Sequence, residues 1–146
     1  MSLAAGIPDG ATVLLDTNPL IYHLEGSALA EPFAPIFAAI DEGRIQAAVT
    51  PITVAELVGG PLKAGKDALA ERYRQLLTAN AGWTLVPMDA DIAMLAARLR
   101  LRYRLTLPDA IQVASALWHG CFALVSHNRD FGAITDLPVL GLARAT

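Results

Sequence analysis

The chain has 146 residues, 54% of them hydrophobic and 17% charged, the size of one globular domain and far from the composition of a disordered chain. A net charge of −3 and a pI near 5.5 exclude the broad basic field of a typical nucleic-acid binder, so any such binding must be local. Mean hydropathy is +0.44, yet charge, Pro or Gly breaks every apolar run short of the roughly 18–20 residues of a spanning helix.

The single cysteine, Cys121, can form neither an internal disulfide nor a Cys-based zinc site. With no Lys or Arg and no long apolar run in MSLAAGIPDG, nothing marks the chain for export, and a soluble, cytoplasmic protein is expected. The chain reads as one domain over residues 1–146, with residues 1–10 expected to be a flexible or partly vector-derived N-terminal extension.

The first predicted strand is Thr12–Leu15, an aliphatic, β-branched run after the turn-like Pro8-Asp9-Gly10. Asp16 follows it, and Pro19 suits the first turn of a helix to about Glu25 with Thr17 or Asn18 as cap. From Glu31, the spacing of Phe33, Ile36, Phe37 and Ile40 predicts a helix that stops at Gly43. Ile45–Val49 reads as a second strand. Thr50-Pro51 opens a helix that Gly59-Gly60-Pro61 should end, and another runs from Asp67 to about Ala79. Trp83–Val86 is the third predicted strand, Asp89 caps the next helix, and Pro108 opens the last one, to about Trp118. Phe122–Ser126 and Val139–Leu142 complete the pattern as fourth and fifth strands. Strands alternating with helices predict an α/β fold, a three-layer α/β/α sandwich around a mostly parallel sheet of about five strands.

Open parallel sheets bind ligands at the carboxyl ends of their strands. Four acids belong there: Asp16 after the first strand, Glu56 early in the third helix, Asp109 in the first turn of the last helix, and Asp130 after the fourth strand. Taken singly, Asp16 reads equally as a helix cap, Asp109 as an acid favoured by the helix dipole, and Asp130 as a turn residue. Glu56 has apolar neighbours, where a buried, unpartnered carboxylate would be costly. Brought to one edge, four acids repel and call for a divalent cation. Oxygen-only ligands suit Mg²⁺ or Mn²⁺, and such an ion with water in its shell can hydrolyse a phosphodiester.

The segments LLDTNPLIYHLEG, TPITVAELVGG, LTLPDAIQVASAL and LVSHNRDFGAI resemble, in order and spacing, the PIN-domain ribonucleases, and more closely the VapC-type toxins of toxin-antitoxin modules. The resemblance implies a metal-dependent endoribonuclease with Mg²⁺ or Mn²⁺ held by Asp16, Glu56, Asp109 and Asp130, and with Thr17, Asn18 and Asn128 as supporting polar residues. It also implies an RNA substrate such as tRNA or another structured RNA, an antitoxin partner, a homodimer, and no membrane association. One departure stands out: many relatives carry an acid where this chain has Asn128. That leaves one metal or two open.

Arg98, Arg100, Arg102 and Arg104 read either as a phosphate clamp at the cleft or as an ordinary solvated helix face, and Arg129, beside the last acid, is the better-placed phosphate ligand. Three rival readings stand beside this one. A dehalogenase-like phosphatase would want a second acid at Asn18, and a receiver domain a lysine after a late strand, whereas the only lysines are Lys63 and Lys66. A catalytically inactive PIN-like RNA- or protein-binding module stays open because of Asn128.

Overall fold

The computed structural model describes residues 2–142. Five strands, β1 (Thr12–Leu15), β2 (Gln46–Val49), β3 (Trp83–Leu85), β4 (Ala123–Val125) and β5 (Val139–Leu140), form one sheet in the order β3-β2-β1-β4-β5, every pair parallel. Parallel neighbours need crossovers, and the helices supply them: α1 (Thr17–Glu25), α2 (Ala34–Asp41), α3 (Pro51–Lys63), α4 (Asp67–Thr78), α5 (Ala90–Tyr103) and α6 (Leu107–Trp118). Successive strand residues point to opposite faces. Val13, Leu15, Ala47, Val49, Ala123 and Val125 therefore pack with α1, α2 and Leu57 of α3 on one side. Leu14, Ala48 and Leu124 pack with α5 and α6 on the other. The result is the α/β/α sandwich expected from the sequence. Among the described residues no helix is long and apolar enough to cross a membrane.

Three elements depart from the sequence reading. The helix expected from Glu31 is split, a 3-10 stretch over Ala28–Phe33 giving way to α2 with Pro35 in its first turn. Helix α3 runs through Gly59-Gly60-Pro61 to Lys63, and Gly65, at φ +74°, follows its end. Pro61 lies in the last turn, where losing one N–H costs least. Within the segment expected to be an extension, Ala4 and Ile7 are buried in the first core, and Arg44 donates to the Ile7 and Ala4 carbonyls at 2.8 and 3.0 Å and pairs with Asp9.

Strand register places Leu15 beside Val125 and Leu14 beside Ala48. The residues that follow the three central strands, Asp16, Thr50 and Ser126, therefore form one row across the carboxyl edge of the sheet. All three are polar and buried, unlike the apolar runs before them. That edge holds the site.

Candidate active site

Asp16 follows β1 and precedes α1, but its side chain makes no cap hydrogen bond. Instead one carboxylate oxygen accepts from Gln112 Nε2 at 3.2 Å and the other from Ser126 Oγ at 2.7 Å. Thr17 and Asn18, expected as caps, are the first residues of α1 itself. Thr17 donates its hydroxyl to Glu56 Oε1 at 2.7 Å, which fixes α3 against α1 at the cavity wall. Glu56 is exposed rather than buried. Of its apolar neighbours only Leu57 is fully buried, Val54 and Val58 are partly buried and Ala55 is exposed, while Glu56 itself lines the cavity.

Asp109 lies in the first turn of α6, whose cap Thr106 accepts from the Asp109 N–H at 3.3 Å. Burial pushes its carboxyl above the usual carboxylate range. Hydrogen bonding with Thr106 opposes the shift, and the charges of Asp16, Asp130 and Glu56 add to it. Asn128 uses its amide against this repulsion: Nδ2 donates to Asp109 Oδ2 at 3.2 Å, and Oδ1 accepts from the Asp130 N–H at 3.0 Å. The Asn128 N–H donates in turn to Ser126 Oγ at 2.9 Å. An acid at position 128 would add a charge where this chain places a donor.

Asp16, Thr17, Asn18, Ile21, Glu56, Asp109 and Asn128 line one open cavity of about 260 Å³. Asp130 does not line it. It is exposed in a 3-10 turn, close enough to act on Asp109 only through its charge. The arginines are elsewhere too: Arg102 pairs with Asp136 at 3.0 Å, Arg100 donates to the Leu105 carbonyl, and Arg104 caps α5 at φ +55°. Arg98 is exposed on α5, and Arg129 is exposed beside Asp130. None of these arginines lines the cavity.

The sequence reading does not single out Gln112, Ser126 or Thr53, and it gives Thr50 only as a helix cap. Their signal was available: polar residues at positions that the helical or strand pattern assigns to the core.

The donor chemistry of the cavity suits a hard divalent cation. Three carboxylates and the Asn18 amide surround it with oxygen, and Asn18 Oδ1 is buried without a hydrogen-bond partner. Among the described residues no three His, Cys, Asp or Glu side chains are placed to share one ion. An ion with one or two carboxylate ligands and several waters, the usual habit of Mg²⁺, fits this spacing.

Residues 13–137 match the PIN domain family. The chain is similar to the solved structure of a toxin-antitoxin complex from Klebsiella pneumoniae, with 31% identity and a TM-score of 0.66 over 86% of this chain and 94% of that one. It is also similar to FitAcB from Neisseria gonorrhoeae, with 28% identity and a TM-score of 0.69 over 87% and 95%. A sarcin-ricin-loop-cleaving VapC toxin of Mycobacterium tuberculosis shares the fold, with 13% identity and a TM-score of 0.66 over 84% and 94%. No curated protein matches the chain.

Proposed function

The chain belongs to the PIN domain family, and from that premise we propose that it is a divalent-metal-dependent endoribonuclease, the toxin of a toxin-antitoxin pair. The observation that carries the reading is the convergence of Asp16, Glu56 and Asp109 from three separate elements on one open, oxygen-lined cavity. One or two of Asp16, Glu56 and Asp109 would hold Mg²⁺ or Mn²⁺ directly and the remainder through its waters, with Thr17, Asn18 and Asn128 supporting them and Asp130 contributing charge from the rim. When bound, the ion supplies a deprotonated water and neutralises charge on the leaving oxygen.

The chain's own groups prepare for this. Gln112 and Ser126 each satisfy one oxygen of Asp16. Thr17 holds one oxygen of Glu56 and Asn128 one oxygen of Asp109, which leaves Glu56 Oε2 and Asp109 Oδ1 toward ion and water. The raised proton affinity of Asp109 makes cation binding compete with protons, so affinity should fall with pH.

The substrate in this reading is a structured RNA, tRNA among the candidates, with Arg129, beside Asp130, as the phosphate ligand and Arg98 and Arg104 as more remote ones, while Arg102 is held by Asp136. An apolar groove of about 500 Å³, lined by Ile21, Leu24, Leu57, Pro61, Leu69 and Tyr73, borders Glu56. It is the proposed seat of an antitoxin segment, a reading supported by the likeness to a toxin-antitoxin complex. The exposed Met94 and Leu101 side chains of α5 support a homodimer, and the working compartment is the cytoplasm.

The test is cleavage of a tRNA pool in Mg²⁺ or Mn²⁺, beside EDTA and beside Asp109→Asn purified identically. Metal-dependent cutting that the variant loses is the expected result; cutting that EDTA or the variant leaves intact refutes it. A second reading, an inactive RNA- or protein-binding module, is favoured by the spacing that brings no three acids onto one ion. It predicts no cutting and no Mn²⁺ binding.

A further inference from the structure

Gln112 is 1% exposed, between the buried Ile111 and Val113 and one turn before the buried Ser115 and Ala116 of α6. A buried amide is costly unless its donors and acceptor are met, and here they are. Nε2 donates to Asp16 Oδ1 at 3.2 Å and to Thr53 Oγ1 at 3.0 Å, while Oε1 accepts from Thr50 Oγ1 at 2.6 Å. Asp16 in its ionised form can only accept, which fixes the NH₂ end toward it and the oxygen toward Thr50.

The partners give this amide its reach. Thr50 and Thr53 form the reciprocal cap of α3, and Glu56 stands one turn beyond Thr53. Gln112 itself stands one turn beyond Asp109 on α6. A single side chain thus ties together the three elements that carry the three cavity acids. Ser126 holds the second Asp16 oxygen, so two donors on different oxygens fix the carboxylate plane, whereas one would leave it free to rotate about Cβ–Cγ.

We infer that Gln112 is a positioning residue of the acid cavity, orienting the Asp16 carboxylate and holding α6 in register with α3. The inference rests on reading that cavity as the metal site. Gln112 is buried and does not line the cavity, so it acts only through its partners Asp16, Thr50 and Thr53.

Gln112→Met keeps the length of the side chain and removes its donors. Mn²⁺ titration followed by electron paramagnetic resonance is expected to show affinity reduced about 10- to 100-fold, the usual effect of losing a partner behind a metal ligand. The kcat for RNA cleavage should fall while KM changes by less than about two-fold. Val113→Ala, a packing loss at the adjacent buried position of α6, is the control for general loosening. If Gln112→Met binds Mn²⁺ like the parent, or if Val113→Ala weakens binding as much at equal loss of Tm, the inference is overturned.

Nuclear magnetic resonance of the metal-free parent needs no folded Gln112 variant. Its Nε2 protons should exchange slowly with solvent and shift on Asp16→Asn but not on Asp130→Asn; if they do neither, the inference fails. Parent protein that binds Mn²⁺ without cutting RNA, or that binds no Mn²⁺ at all, counts against the proposed function, and the resonance of Gln112 still decides its role.

Discussion

Gly141 sits where β5 meets the site edge, and replacing it with alanine tests how tightly that edge is packed. Its φ is +99°, a conformation that L residues rarely adopt. An added methyl would run into the ring of Phe33 and stand 2.9 Å from the Ser126 carbonyl oxygen. Neither neighbour can yield freely: Phe33 is 1% exposed, and Ser126 is backbone at the end of β4, with its hydroxyl on Asp16.

Holding a side chain at that φ costs about 1–3 kcal/mol, and overpacking the ring adds about 1–3 kcal/mol. The sum, about 2–6 kcal/mol, is a large part of the roughly 5–15 kcal/mol that stabilises an ordinary domain. At about 2–4 °C per kcal/mol for a chain near this size, Tm should drop by about 4–24 °C. Thermal and urea unfolding of Gly141→Ala measure the loss. In a double-mutant cycle the alanine should cost less in a Phe33→Leu background, because the ring clash is relieved and the backbone strain and the Ser126 carbonyl contact remain. A Gly141→Ala midpoint within about 2 °C of the parent would refute the reasoning.

Asp109→Asn should stabilise the metal-free protein at pH 7. The folded-state pKa of Asp109 is raised, so between the ordinary value and the raised one the folded chain binds more protons than the unfolded chain. Its contribution to stability therefore falls as pH rises through that window; melts in EDTA should show the variant's advantage fading as pH falls toward 3.8, and no advantage at pH 7 contradicts the assignment. Thr50→Val should cost about 1.5–5 kcal/mol in urea unfolding, about 0.5–2 from the lost α3 cap and about 1–3 from the buried Gln112 oxygen left without its donor. In an Asp109→Asn background, Arg129→Ala should weaken RNA binding and lower its salt slope by about 1, whereas Arg102→Ala should change little because Asp136 already holds that guanidinium. Equal effects of the two would remove Arg129 from the proposed interface.

The strands and the acids after them were legible because burial on both faces leaves a parallel strand as an unbroken apolar run, and the break in the run marks the sheet edge. Asp16, Thr50 and Asp89 could be placed that way, and Thr50 and Asp89 do cap α3 and α5. Local punctuation misled where tertiary packing outweighed it: Gly59-Gly60-Pro61 reads as a stop, but α3 continues because the proline falls where the helix is ending anyway. The exposure of Glu56 was hidden because sequence neighbours on a helix point in different directions. Gln112 and Ser126 lie 96 and 110 residues from Asp16, and no local pattern signals a partnership across that distance.

That same separation orders the assembly of the molecule. Asp16 is synthesised before both of its donors, which belong to α6 and the end of β4. Contacts of such long range are made late, since the intervening loop must close first. A nascent chain ending before residue 107 therefore carries two of the three cavity acids and neither donor that orients Asp16. The fixed orientation of Asp16 is withheld until α6 is formed and β4 has paired with β1.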